Sequence, residues 1–562
     1  MFCFIRSRIA LSQLSLPGEM IYSKENSQFS DQLYHLEEAR NLSDSLSFAT
    51  STGYILFEGA LINSKALRDA YATQDNRSLL ALASERESLL SELTGQYRGL
   101  FQEADKLRCF TDPIRSSLLF YYLSPDLVIV CSSLKLICKM LQNQKRSVLP
   151  DPVGMRILLS FGYQLEDYTT ISGIRSLKAG QILELNGFEA QFRAYHSFNN
   201  EPLYDSLQSS LPRMHELFNR AVALSYDYDL EKGRQHLAFL SGGLDSRIGV
   251  YSATAQGYTG IHALCFSQSR YPDHLIAARI SRELELDFHF VPLESGDYLL
   301  SLEKNAGYND AQIILSGAAH LDYAIQSLPL ERFGILHSGQ IGDLILGSFL
   351  SGVSHSPVQV IDTAFSKISA AAISSELQSI GQRYPNQELF ALYNRGFNSA
   401  SNGDYACARY NHSFSPFLEQ AFTQFTLNIS PALRFDNQLY RRWYMEYYPR
   451  AAAITWEKTL VPVAAGASRT KLFSYYYRAS RRVGRLFGGT AYSMNPFEYW
   501  WNCNPALRTY FEPRFRVPES IRENLDKDIL IQVENVFRKG SFSEKLQAYT
   551  LSYGLERLLA GD

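Results

Sequence analysis

The stretch Leu237-Ala-Phe-Leu-Ser-Gly-Gly-Leu-Asp-Ser246 decides how this chain is read. Residues 237–240 are a short apolar run bounded by turn residues, the pattern of a buried parallel strand. Ser241, Gly242 and Gly243 then force a tight turn, and residues 247–254 carry helical character with small residues on one face. A strand, a glycine turn and a helix together make an anion site, because backbone N–H groups face the turn and the helix dipole favours negative charge. The two glycines let the main chain approach phosphate oxygens with no Cβ in the way. Ser241 and Ser246 add hydroxyls. Asp245 adds a carboxylate, which repels phosphate unless Mg²⁺ lies between them. No G-x-x-x-x-G-K-[ST] follows a strand anywhere in the chain, so this is not a Walker loop.

Downstream of this stretch, strands alternate with helices. Residues 261–266 read as a second buried strand leading to Asp273 and a helix with Ala277, Ala278 and Ile280 on one face. Residues 287–291 and 333–339 read as a third and a fourth strand. That alternation predicts a parallel sheet with its ligand at the carboxyl ends of the strands. Beyond residue 500 the chain reads as helical, with 533–537 and 546–558 as packing helices. Upstream, residues 1 to about 200 read as mostly β. Strand-like runs stand at 48–50, 54–59 and 127–131, and polar periodicity over 64–92 predicts two helices. Residues 181–195 predict a hairpin turning at Asn186-Gly187, and Asn199-Asn-Glu-Pro202 a linker.

At 562 residues the chain is too long for one ordinary core, so at least two domains are expected. Hydrophobic content of 46% and charged content of 20% are those of a water-soluble globular protein. The net charge of −3 argues against a general binder of nucleic acid or anionic membrane. The seven cysteines include no C-x-x-C pair, which argues against a zinc site or a disulfide framework. Arg6 and Arg8 precede no sustained apolar core, and no run of eighteen apolar residues exists, so neither a signal peptide nor a membrane span is predicted. The expected compartment is the cytoplasm. Residues 469–489 interleave six basic residues with Tyr475, Tyr476 and Tyr477; a solvated helix face is the expected reading, and an RNA or anionic-glycan surface the alternative.

Ser241-Gly-Gly-Leu-Asp-Ser246 resembles the loop of the ATP pyrophosphatases, which split ATP between the α and β phosphates. From about 210 to 460 the chain is similar to the synthetase domain shared by asparagine synthetases, β-lactam synthetases and lasso-peptide cyclases. Ser338-Gly-Gln-Ile-Gly-Asp343 stands where those proteins carry a second pyrophosphate loop, usually Ser-Gly-Glu-x-x-Asp. Arg409, Ser415-Pro-Phe-Leu-Glu419, Leu439-Tyr-Arg-Arg442, Pro449 and Ile454-Thr-Trp-Glu-Lys458 follow the same pattern. The first half resembles the glutaminase domain of asparagine synthetases through Glu58-Gly-Ala-Leu-Ile-Asn63, Leu67-Arg68, Leu93-Thr-Gly-Gln-Tyr97, residues 112–122 and Gly173-Ile-Arg-Ser-Leu-Lys-Ala-Gly180.

The resemblance implies an N-terminal-nucleophile α/β/β/α sandwich over 1–203, followed over 204–562 by a parallel-sheet α/β domain of the adenine-nucleotide α-hydrolase type with a helical C-terminus. It implies ATP on Leu240, Ser241, Gly242, Gly243, Asp245, Ser246, Phe266, Ser338 and Gly339, Mg²⁺ on Asp245 and Asp343, and Lys458 against the α-phosphate. The implied reaction adenylates a carboxylate, aspartate or a sugar or peptide acid, and then an amine or ammonia attacks to give an amide, AMP and pyrophosphate. A homodimer is a further expectation. An RNA-modifying pyrophosphatase and a non-catalytic binding protein are the alternatives. Two departures bear on mechanism. Phe2, not cysteine, follows Met1, and Glu58-Gly59 stands where an oxyanion-hole Asn-Gly is usual, so glutaminase activity is expected to be lost. Gln340 replaces the glutamate of the second loop, which removes a proton acceptor near the reacting amine.

Overall fold

The computed structural model describes residues 1–9, 18–36, 44–465, 473, 475 and 493–560. Phe473 and Tyr475 aside, the basic aromatic stretch 469–489 lies outside the described residues. The N-terminal part holds two antiparallel sheets of six strands each. In one, the order is Ile174–Ser176, Phe120–Leu123, Leu127–Cys131, Phe2–Ser7, Ser30–His35 and Glu19–Glu25. In the other it is Glu189–Ala194, Gln181–Asn186, Lys106–Thr111, Gly95–Glu103, Gly53–Leu61 and Leu46–Ala49. The hairpin turning after Asn186 pairs Asn186 with Glu189, as the Asn-Gly step predicts.

Side-chain alternation stacks these sheets into four layers. Phe2, Phe4, Val128 and Val130 of the first sheet pack against Leu56, Leu100, Leu107 and Leu183 of the second. On its outer face the second sheet turns Ile55, Phe57 and Phe101 toward Leu67, Leu79 and Leu80 of the helices Ser64–Tyr71 and Asn76–Glu85. Cys3, Ile5 and Ile129 face the opposite way, onto helices Leu134–Asn143 and Pro152–Phe161. That last layer is shared with the far end of the chain. Leu546, Leu551, Leu555 and Leu558 of the C-terminal helix Phe542–Leu559 lie in the same core as Ile137, Cys138 and Leu158. The Gln547 amide donates to the carbonyls of Leu158 and Leu159 at 2.9 and 3.0 Å.

The parallel sheet follows. Its strands in chain order are β1 (Gln235–Phe239), β2 (Ile261–Ser267), β3 (Asp287–Pro292), β4 (Phe333–His337) and β5 (Ser413–Phe414). Their order across the sheet is β3-β2-β1-β4-β5, all parallel. A doubly wound sheet of this order reverses its winding between β1 and β4, and the crevice beyond their carboxyl ends is the usual place for a ligand. Four of the five strands match the sequence reading; the fifth, two residues long, gives no periodic signal. Beneath the sheet, the buried carboxylate of Asp229 ties β1 to β4. Its Oδ2 accepts from His236 Nδ1 at 2.8 Å and His337 Nε2 at 2.7 Å, and its Oδ1 accepts from the Ile335 amide at 2.7 Å. A Cβ at residue 334 would lie 2.0 Å from that Oδ1, which explains Gly334. No described helix is long and apolar enough to cross a membrane.

Candidate functional site

The loop after β1 and the loop after β4 meet at the reversal point. The helix Leu244–Ala255 begins three residues earlier than its sequence pattern suggests and carries Asp245 in its first turn. Three loop amides are held by side chains: Ser241 N–H donates to Ser246 Oγ at 3.0 Å, Gly242 N–H to Asp273 Oδ1 at 2.7 Å, and Gly243 N–H to Ser241 Oγ at 3.1 Å. Arg247 is buried and donates to the carbonyls of Gly242, Ala451, Ile454 and Thr455, so its charge pins the loop rather than facing the cavity.

Glycine makes the approach of the second loop possible. A Cβ on Gly339 would lie 2.4 Å from both Asp245 C and Ser246 N, and one on Gly342 would lie 2.8 Å from Asp245 Cγ. Real Cβ atoms do not tolerate such contacts with backbone. Ile341 between them adopts φ 67°, a left-handed conformation that is rare for a β-branched residue. The result is that the Asp343 amide donates to Asp245 Oδ2 at 3.0 Å, and Lys458 Nζ stands 3.6 Å from Asp343 Oδ2.

The pocket so formed, about 260 Å³, is lined by Ser241, Gly243, Leu244, Asp245, Ser246, Gly339, Asp343, Asn437, Tyr440, Trp456, Glu457 and Lys458. Carboxylates dominate it. Burial and then the neighbouring Asp343 push the Asp245 carboxyl up to about 7, against a donated hydrogen bond from Tyr440 Oη at 2.5 Å. Burial and Asp273 push Glu457 up to about 7 as well, and its Oε2 is buried with no partner. Asp273 itself is raised by burial. Lys458 is the one ammonium lining this pocket among the described residues. The unpartnered Glu457 oxygen and the Asp343 carboxylate are the kind of oxygen donors a hard divalent cation takes, whereas both Asp245 oxygens already accept hydrogen bonds, from Tyr440 and from the Asp343 amide.

Of the remaining expected residues, Leu240 is buried with its amide bonded to the Leu264 carbonyl at 2.9 Å. Phe266, Ser338, Gly339 and Gln340 line a second, adjoining cavity of about 460 Å³. Gly339 belongs to both, so the two cavities flank one loop. The Gln340 side-chain amide donates to the Ala400 carbonyl, a bond that an ionised glutamate cannot make. Sequence reasoning gave no role to Tyr440, Glu457 or Asp273, nor to His320 and Asp404 of the second cavity; they reach the loops from separate segments of the chain.

At the N-terminus the geometry differs. The Cys3 thiol is buried on the helix-facing side of its sheet, donating to Met140 Sδ at 3.6 Å, and burial raises it well above the usual thiol range. Phe2 fills the space between the sheets. Glu58 is buried there too, with Arg98 Nε at 2.9 Å and the Met1 ammonium at 2.8 Å from its carboxylate oxygens.

No family model matches the chain, and no curated protein matches it. Similar solved structures include the allosteric regulatory enzyme of purine biosynthesis, 12% identical, with 51% of this chain and 74% of that chain covered at a TM-score of 0.23. Another is the glutamine phosphoribosylpyrophosphate amidotransferase from B. subtilis complexed with ADP and GMP, 11% identical, with 52% and 85% covered at a TM-score of 0.23. Likeness at that level carries no weight for function.

Proposed function

We propose that the chain is an ATP-dependent carbon–nitrogen ligase similar to the asparagine synthetases, forming AMP and pyrophosphate, with no glutaminase activity of its own. One observation carries this reading: two glycine loops pressed together at the sheet's reversal point, with Asp245, Asp343 and Lys458 converging on one small acidic pocket. In this reading ATP lies across the two cavities, its pyrophosphate in the acidic one and its nucleoside toward Phe266, Ser338 and Gly339. Asp245 and Asp343 would hold Mg²⁺, which would supply charge neutralisation to the phosphates. A substrate carboxylate attacks the α-phosphorus and displaces pyrophosphate, and Lys458 stabilises the charge that develops. Tyr440 orients Asp245 by its hydrogen bond, and Arg247 keeps the first loop in place by holding four carbonyls. An amine then attacks the acyl carbon and AMP leaves. The N-terminal sandwich serves as a structural partner, because Phe2 occupies the nucleophile's position and Glu58 is already paired.

The test is magnesium-dependent exchange of labelled pyrophosphate into ATP, screened against candidate acids. Acid-stimulated exchange is expected. Its absence with every acid, together with no thermal stabilisation by ATP–Mg²⁺, would exclude an adenylating enzyme and favour a binding protein.

A further inference from the structure

The larger cavity beside Gln340 contains polar atoms that the fold leaves unused. Asp404, His320, Asn402 and Ser338 are among its lining residues, and Asp404 Oδ2, His320 Nδ1, Asn402 Nδ2 and Ser338 Oγ are each buried with no hydrogen-bond partner. An unpartnered buried polar atom is costly, and four on the residues of one cavity wall leave hydrogen-bonding capacity that water or a ligand would satisfy. Asp404 is 3% exposed and follows Gly403, where a Cβ would meet the Gln340 amide nitrogen at 3.1 Å. Residue 403, which precedes Asp404, therefore lies against the side chain that replaces the second loop's glutamate.

Charge decides what such a wall receives. Asp404 Oδ1 accepts from Ser413 Oγ at 2.6 Å, and nothing cationic touches its other oxygen. The titratable groups near Asp404 are Asp112, Tyr405 and Cys407, which act on it electrostatically, and the His320 imidazole and exposed Arg395, which line the same cavity. Burial lowers His320 to about 4, so it is neutral at pH 7. Burial raises Cys407 well above the usual range, so it too is neutral. An anionic ligand would oppose Asp404. A protonated amine would complement it, with Asn402 and the neutral imidazole as further polar contacts.

We propose that this cavity is the amine donor's site, and that Asp404 binds the donor's ammonium nitrogen and accepts one proton from it before attack. The assignment rests on the ligase reading above and names its second substrate as ammonium or a primary amine. In the step, R–NH₃⁺ gives a proton to the Asp404 carboxylate. The freed nitrogen lone pair forms the C–N bond while the acyl carbon–oxygen bond to AMP breaks, the electron pair leaving with the phosphate oxygen. The second nitrogen proton is lost to solvent, and so in turn is the one held by Asp404. Gln340 is then a fixed wall of the site, bonded to Ala400, and Asp404 occupies the acceptor's role. Burial followed by repulsion from Asp112 brings Asp404 up to about 7, a suitable value for a base at neutral pH.

The experiment is thermal denaturation of the full chain without nucleotide, in ammonium or methylammonium chloride against tetramethylammonium chloride at equal ionic strength. At pH 8 the two smaller cations are expected to raise the midpoint by about 1–2 °C over the control. Asp404→Asn keeps an oxygen to accept from Ser413 and is expected to lose that rise while keeping the rise given by ATP–Mg²⁺. An equal rise in Asp404→Asn, or none in the unaltered chain at pH 8, overturns the assignment. Should Asp404→Asn not fold, the pH profile decides: a rise that grows as pH passes through about 7 supports it, and a pH-independent rise overturns it. Running that profile in the double variant Asp245→Asn/Glu457→Gln excludes the raised carboxylates of the neighbouring pocket as its source. Loss of the ATP–Mg²⁺ effect alone would sink the ligase reading and leave the amine measurement intact.

Discussion

Glu58 and Asp245 invite comparison. Each is a carboxylate near a glycine, at a place where the resemblance to asparagine synthetases expects chemistry. Glu58 has Arg98 on one oxygen and the Met1 ammonium on the other. Asp245 has a tyrosine hydroxyl, a backbone amide and a second carboxylate. The first carboxylate is compensated inside the fold and needs nothing further. The second is left with excess negative charge beside a cavity, which a bound cation would relieve. Whether a carboxylate's partners balance its charge thus separates a buried structural acid from one that waits for a ligand.

The sharpest way to break that contrast is Asp245→Asn. Pyrophosphate exchange is expected to fall at least about 100-fold, since a charged group facing the phosphates is removed. The unliganded chain is expected to unfold about 1–3 °C higher at pH 8, because a buried charge has gone. Exchange that survives would put Asp245 on the structural side of the comparison. Glu58→Gln is expected to do the opposite. It leaves the Arg98 guanidinium buried without its counter-charge, costing about 3 kcal/mol in urea denaturation, while exchange per folded molecule stays unchanged. Lost exchange in a folded Glu58→Gln would tie the two regions together functionally.

A third test uses pH. Asp245 and Glu457 hold protons to about pH 7 when folded, against about 4 in an unfolded chain. The folded state binds more protons across that window, so the unliganded fold loses stability as pH rises through it. A bound cation needs the carboxylates, so stabilisation by ATP–Mg²⁺ runs the other way, several-fold larger at pH 8 than at pH 6. A flat profile in calorimetric titration would show that these acids are not the ligands. The smallest expected effect is Cys3→Ala, roughly 1 kcal/mol from the space left beside Met140. No glutamate release from glutamine is expected before or after that change; release that disappears with it would mean that the thiol is reachable after all.

The glycine turn, the strand before it and the helix after it were legible because they are contiguous and each has its own pattern. Four strands of the parallel sheet and the Asn186-Gly187 hairpin were legible for the same reason. Asp404 was not, because its segment reports only helix or loop; Tyr440 and Glu457 stand in stretches that matched the resemblance, but nothing local says that their side chains turn toward Asp245. Gln340 was legible as a substitution but not as a donor to Ala400, which depends on how the 391–400 segment crosses the second loop. Ile341 gives no warning in sequence of its left-handed backbone, since the residue type favours the opposite. The ion pair of Glu58 with Arg98 needed strand register, which sets these two directly opposite.

The helix that closes the chain, Phe542–Leu559, fills the layer outside the first sheet, against helices made about four hundred residues earlier. During synthesis at about 5–20 residues per second, Leu134–Asn143 and Pro152–Phe161 therefore emerge roughly 20–80 s before their covering helix exists. Part of their apolar surface is covered sooner, by segments such as Lys367–Ala371, and the rest only when this helix is made. A chain stopped short of residue 542 is expected to expose the part of that core that this helix covers.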